Sequence, residues 1–128
     1  MKRRSIELEG FGHGNNPIPA ACRIGNMIMT GGVSGFDIAA QTMPADVTDQ
    51  MRCAFANLAA ILAAGGASLD DVIKINVFVK SYDVRPILNA EWSKAFPDPQ
   101  ARPARHVLRY DHLQAGMLVQ LEATAVLS

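Results

Sequence analysis

Cysteine is scarce in this chain of 128 residues: only Cys22 and Cys53 occur, 31 positions apart. There is no Cys-x-x-Cys pair and no Cys/His cluster, which excludes a zinc ribbon and a disulfide scaffold. Each thiol is expected to be a small buried hydrophobe in a reducing compartment. Neither charge sign is in excess, because twelve basic residues balance twelve acidic ones. A strong nucleic-acid binder would carry a basic stripe, and a membrane-surface protein a basic amphipathic stretch. The chain has neither, so neither nucleic acid nor membrane is expected as a partner. No apolar run follows the basic start Met1-Lys2-Arg3-Arg4, so no signal peptide is expected. No run reaches the roughly 18 apolar residues that span a bilayer. These absences together point to the cytoplasm. His13, His106 and His112 have no metal-ligand spacing, no Gly-x-Ser-x-Gly surrounds a serine, and no phosphate-binding glycine motif is present.

What the chain does have is apolar bulk, 49% of its residues. That suits one domain over residues 1–128 with a single core. No linker, repeat or low-complexity run divides it. Ser5–Glu9 alternates like a half-buried strand, and 10–19 is a Gly, Asn and Pro loop. Ala20–Ile24 and Met27–Thr30 read as strands around the turn Gly25-Asn26. Gly31-Gly32 then breaks the second strand, and 34–45 reads as a polar loop. From Asp46 to Ala64, Val47, Met51, Phe55, Leu58 and Leu62 make one face of an amphipathic helix, with Asp46 as N-cap and Gly65-Gly66 as the stop. Val72–Lys80 is a β-branched strand, expected to be buried on both faces at its end. Asp83–Phe96 is a second helix, closed by Pro97-Asp98-Pro99. Arg105–Tyr110 is a strand, Asp111–Gly116 a turn and Met117–Leu127 a last strand. In that last strand Val119, Leu121, Ala123, Ala125 and Leu127 share one face, and Gln120, Glu122 and Thr124 lie on the other. This order predicts an α+β layer fold with two helices on one face of a mixed sheet. The uncovered face predicts self-association into a closed ring.

Arg105 is the residue that asks most for an explanation. It follows Pro103-Ala104 and opens the run His106-Val107-Leu108, which reads as a buried strand. A guanidinium there is costly without an anion, and its planar fork matches a carboxylate. Two readings stand side by side: a pocket for a small organic acid, or a structural ion pair. Glu122 is the nearest candidate for the pair, since the short turn after the Arg105 strand predicts antiparallel pairing with the last strand. Gln120 and Glu122 share one strand face, about 7 Å apart. A glutamate whose pKa is raised by burial serves as a general base near neutrality. The N–H groups of Gly31-Gly32 either meet an anion or merely turn the chain. Asn89 either binds a ligand or faces water. His106 is expected to point away from Arg105, as a structural or surface residue.

These segments, in their order and spacing, resemble the Rid family, the YjgF-type reactive intermediate deaminases. The likeness runs from Arg23-Ile24-Gly25-Asn26 through Thr30-Gly31-Gly32, then Asn57-Leu58 to Ile61-Leu62 with Gly65-Gly66. It continues through Leu69-Asp70-Asp71-Val72-Ile73-Lys74, Val77-Phe78-Val79, the Asn89 helix, Pro103-Ala104-Arg105 and Val119-Gln120-Leu121-Glu122-Ala123. The resemblance implies a chorismate-mutase-like, ferredoxin-like α+β fold and a homotrimer with intersubunit clefts. It implies hydrolysis of enamine or imine acids of the 2-aminoacrylate type to 2-keto acids and ammonia, without a cofactor or metal. It casts Arg105 as the holder of the substrate carboxylate, with Gly32 and Asn89 lining the pocket. Two positions depart from the family pattern. Gln120 stands where the family has a water-orienting glutamate, and an amide places water but cannot take its proton; Glu122 on the same face is a possible substitute. Ile18 stands where the family has a cleft tyrosine, which leaves a more apolar cleft. The alternatives are a non-catalytic trimer that binds small acids, and a divergent member acting as a deaminase or amide hydrolase on another substrate. Ribonuclease activity is a third reading, against which the neutral charge and the lack of a His pair weigh.

Overall fold

The computed structural model describes residues 2–114 and 116–128. Seven strands and two helices alternate along it: β1 (Arg4–Ile6), β2 (Ala21–Ile24), β3 (Met27–Thr30), β4 (Val33–Ser34), α1 (Val47–Ala64), β5 (Val72–Val79), α2 (Arg85–Ala95), β6 (Ala104–Arg109) and β7 (Val119–Val126). The expected turn 111–116 is described except at Ala115, which lies outside the described residues. The strands form one mixed sheet in the order β1-β2-β3-β7-β5-β6, with β4 also paired to β7.

The hairpin β2–β3 forms as the sequence predicts. Ile24 pairs with Met27, and Gly25 takes φ 56° in the turn between them, a conformation glycine adopts at little cost. Arg23 then ties the hairpin to α1. Its Nη1 donates to the Gly65 carbonyl at 2.7 Å and its Nε to the Gly25 carbonyl at 2.8 Å, placing a cation on the carbonyl end of the helix. In α1, Met51, Phe55, Leu58 and Leu62 are buried as expected. Asp46 does occupy the N-cap, but its side chain makes no capping hydrogen bond. On β7, Val119, Leu121, Ala123 and Ala125 are buried and alternate with partly exposed neighbours. They pack into one apolar cluster with both helices, including Leu58, Leu62, Leu88 and Trp92.

Several expectations need correction. β6 does not pair with β7. It pairs with β5, in parallel, and β7 runs antiparallel along the other edge of β5. The cause is the β5–α2–β6 crossover, a parallel unit that places β6 beside β5. The segment 110–118 must then carry the chain past the end of β5, where Tyr110 N donates to Val79 O at 2.8 Å. β6 is therefore a partly exposed edge strand and not the buried strand its apolar residues suggest. β5 is not buried on both faces at its end: Phe78 is half-buried between buried Val77 and Val79. β1 is shorter and earlier than the predicted 5–9, and β4, Val33–Ser34, takes only the first residue of the loop predicted at 34–45. Cys53 is buried and Cys22 is only half-buried.

The face of the sheet opposite the helices carries exposed apolar side chains. Ile24, Met27 and Met29 are about half exposed, and Val126 is partly so. The registers Ile24↔Met27↔Val126 put three of them in one row across β2, β3 and β7.

Candidate functional site

A cavity of about 460 Å³ opens between the loop 11–19, the Gly31-Gly32 bend and the start of β7. Its walls follow from three local structures. The Gly31 N–H donates to Ala20 O at 2.9 Å, which carries the β2–β3 pairing one residue past Thr30. β4 then pairs through Ser34↔Gln120, which brings Gly32 against Gln120. A Cβ on Gly32 would stand 2.5 Å from Gln120 Nε2 and 2.6 Å from its Cδ. Only glycine lets the Gln120 amide lie over that backbone.

Two buried amides of α1 hold the walls from behind. Asn57 Nδ2 donates to Ser34 O at 3.0 Å and to Phe36 O at 2.8 Å. Gln50, fully buried, donates from Nε2 to Pro44 O and Gly116 O, both at 2.7 Å, and accepts the Leu118 N–H on Oε1 at 2.8 Å. Asn57 thus fixes β4, and Gln50 fixes the segment that presents Met117 and Gln120. The sequence does hold a signal for both: they are polar residues seven apart, each adjoining an apolar residue of the buried helical face.

The cavity gathers some of the expected site residues and leaves others out. Ile18, Gly32 and Gln120 line it. Ile18 is exposed and the Gln120 side chain half-buried, its Nε2 3.6 Å from Met117 Sδ. Glu122 shares the face of Gln120 but lies in a separate depression of about 110 Å³ with Lys74 and Asn76. Asn76 Nδ2 donates to Glu122 Oε1 at 2.8 Å. Arg105 and Asn89 are elsewhere. Arg105 pairs with Ile75 in register, whereas Asn76, its neighbour on β5, pairs with Glu122. Arg105 and Glu122 therefore lie on opposite faces of the sheet, and the expected approach of the two does not occur within the chain. His106, in register with Asn76, points away from Arg105 as expected.

Arg105 stacks instead on α2. Its Cζ lies 5.0 Å from the centroid of the Trp92 ring, within cation–π range. Trp92 is held edge-on by Phe96 at 4.8 Å and Phe55 at 6.5 Å. Arg85, Asn89 and Trp92 recur at helical spacing, so exposed Asn89 shares the side of α2 that Arg105 covers. Burial, and then the like charge of Arg85, hold the Arg105 pKa below its ordinary value. Among the described residues Arg105 forms no salt bridge. A guanidinium held down by burial and by a second guanidinium, and without a carboxylate, favours an incoming anion.

His13, passed over in the sequence because it lacks metal spacing, also lines the cavity. Its ring meets Phe11 edge-on at 5.7 Å, and its Nε2 is shut off from solvent without a hydrogen-bond partner. Among the described residues no group of His, Cys, Asp or Glu gathers that could hold a metal ion. No helix among them is long and apolar enough to cross a membrane. Chemically, the cavity offers amides and glycine N–H groups that hold water or a polar ligand, but no cation. The cation sits at the β6 edge.

The chain was compared with known proteins. The model of the endoribonuclease L-PSP family matches residues 15–127. A 2-iminobutanoate/2-iminopropanoate deaminase of Escherichia coli K12 is 31% identical over 124 residues, covering 96% of this chain and 97% of that protein. The same activity is the name of a protein from Dermatophagoides farinae, 28% identical over 112 residues, 87% of this chain and 86% of that one. The crystal structure of the E. coli YjgF gene product superposes with a TM-score of 0.88 at 30% identity, covering 98% of this chain and 99% of that one. E. coli TdcF, solved with bound serine, gives 0.88 at 29%, with the same coverage. With the match running from the loop that walls the cavity to the end of β7, and with the fold shared throughout, the chain belongs to the endoribonuclease L-PSP family, the Rid or YjgF-type family.

Proposed function

We propose that the chain, as one domain over 1–128, hydrolyses reactive enamine and imine acids to 2-keto acids and ammonia. It would do so in the cytoplasm, as a homotrimer. The observation that carries this reading is Arg105: charged, stacked on Trp92, beside Arg85, and without a carboxylate of its own. The cavity with Ile18, Gly32 and Gln120 has the complementary lack, polar groups but no cation. A closed ring in which the Arg105 edge of one copy meets the cavity of the next supplies both halves. The exposed apolar row on the open face gives such a ring a surface to bury. Curated relatives named as 2-iminobutanoate/2-iminopropanoate deaminases favour the reaction.

In this assembly Arg105 holds the substrate carboxylate, with Asn89 beside it. The Gly32 backbone and the Gln120 amide face the reacting end and hold water there. The imine carbon is already electrophilic, so positioning and one activated water suffice, with neither cofactor nor metal. Glu122, hydrogen-bonded to Asn76 and away from the cavity, has a structural part in this arrangement.

The test is keto-acid release from imines made in place by an amino-acid oxidase. Wild-type protein is expected to accelerate it, and Arg105→Ala to lose about 10²-fold, the equivalent of a charged anchor of roughly 3 kcal/mol. Wild type performing no better than Arg105→Ala across several imines overturns the reading. Gln120 favours one competitor, a trimer that binds small acids without turnover. Calorimetric binding of 2-keto acids with no ammonia release from any imine selects it.

A further inference from the structure

Of the arginines Arg85, Arg105 and Arg109, only Arg109 has a carboxylate, Asp111, with Nε 3.2 Å from Oδ1. Arg105 lies over Trp92, and Arg85 lies over the ring of Tyr82 with its Cζ 4.9 Å from the centroid. Both rings are held in place. Phe96 and Phe55 pack on Trp92, and Tyr82 Oη accepts the Arg109 N–H at 3.3 Å. Among the described residues neither Arg85 nor Arg105 forms a salt bridge. The acids next to them along the chain do not supply one. Glu91 is taken by Lys94 at 3.4 Å, and Asp83 pairs with neither arginine.

The two guanidiniums share one side of α2. Arg85, Asn89 and Trp92 recur at helical spacing, over about 10 Å of helix axis. Arg85 is close enough for its charge to weigh on the Arg105 pKa. Asn89, exposed between them, offers an amide that both donates and accepts. The first turn of α2 holds no acidic residue, so the positive end of the helix adds to the same field. Like charges held together without a counter-charge repel, and an anion that meets both relieves the repulsion. An acid with one carboxylate fills one fork. An acid with a carboxylate at each end fills both. Every group in this row belongs to one chain.

We propose that Arg85 and Arg105 form one two-cation site for a dicarboxylic acid. Arg105 takes the carboxylate next to the keto or imino carbon. Arg85 takes the carboxylate at the end of the side chain, and the Asn89 amide lies between them. The ligands are then 2-keto and 2-imino acids whose side chain ends in a second carboxylate, rather than in a methyl group. The proposal rests on the reading of Arg105 as the carboxylate anchor and extends it to the other end of the acid. Arg85 is the specificity-determining residue of that site.

The measurement is calorimetric titration at neutral pH with 2-oxoglutarate and with its 5-methyl ester, which lacks only the distal charge. The proteins compared are wild type, Arg85→Gln, Arg85→Lys, Arg105→Ala and Arg4→Gln, each checked for an unchanged melting curve. Arg4 lies on β1, at the opposite edge of the sheet from β6, so its variant removes the same charge far from the row. Wild type is expected to bind the diacid about fivefold more tightly than the ester at low salt. Added salt is expected to shrink that preference. Arg4→Gln is expected to keep it and Arg85→Gln to lose it. Arg85→Lys, which keeps the charge without the fork, is expected to keep part of it. Arg105→Ala is expected to weaken both ligands. Equal wild-type affinity for the two ligands overturns the two-cation site. So does a preference that survives in Arg85→Gln, or one that Arg4→Gln removes as fully. In each of these cases ester binding that depends on Arg105 leaves the anchor standing. Binding that Arg105→Ala does not weaken, or no binding of either ligand by wild type, overturns the anchor and the two-cation site together.

Discussion

Replacing Gln50 with leucine is expected to lower the unfolding free energy by about 4 kcal/mol. The side chain is fully buried, and its two polar ends meet three main-chain groups: Pro44 O, Gly116 O and Leu118 N. Leucine fills nearly the same space but satisfies none of them. The loss is therefore one of hydrogen bonding and not of packing, and each stranded group adds roughly 1–3 kcal/mol. The three groups belong to two segments far apart in the chain, so the variant also releases the strand entry that presents Met117 and Gln120 to the cavity. Equilibrium denaturation at fixed protein concentration reads the effect. A loss below about 1 kcal/mol would mean that water replaces the amide and that Gln50 does not clamp these segments.

Gly35→Ala is expected to cost about 3 kcal/mol, at the upper end for overpacking. Gly35 lies where the chain leaves β4 beneath α1, and a Cβ there would overlap the carbonyl oxygen, carbonyl carbon and Cα of Gln50. These are helix backbone atoms, so no rotamer change relieves the clash; α1 must move off β4. Gly12→Ala is the control. Nothing lies within 4 Å of a Cβ at Gly12, and its cost is expected to stay within about 0.5 kcal/mol. Equal denaturation midpoints for the two variants would defeat the account of α1 seated on Gly35.

Much of this architecture is legible in the sequence because it is governed by local chemistry. Gly25-Asn26 sets the hairpin, the 3.6-residue repeat from Met51 to Leu62 sets α1, and strict alternation from Val119 to Ala125 sets β7. What escaped the sequence depends on non-local pairing. β4 has two residues and exists only because β7 offers Leu121 and Gln120 as partners. The neighbours of β6 were misread because a short connection favours pairing in sequence order, while the α2 crossover had already filled the edge of β5. That one error moved Arg105 to the wrong side of Glu122. For the site, Gly32, Gln120 and Ile18 were picked out and do meet. His13 escapes the sequence because its place on the cavity wall follows from how the loop 11–19 lies against Gly31-Gly32 and β7, and no spacing along the chain records that.

The stacking of Arg105 on Trp92 has a practical consequence. Trp92 is the only tryptophan of the chain, and the guanidinium lies over its ring. The emission of an indole responds to the electric field across it, so neutralising that cation with a bound anion changes the field on the single fluorophore. Under the proposed role of Arg105, the protein carries an intrinsic optical reporter at the edge where the substrate carboxylate would bind. Titrating a 2-keto acid while following Trp92 emission then reads binding at Arg105 without a label, a coupled enzyme or turnover, and an unchanged emission counts against that role.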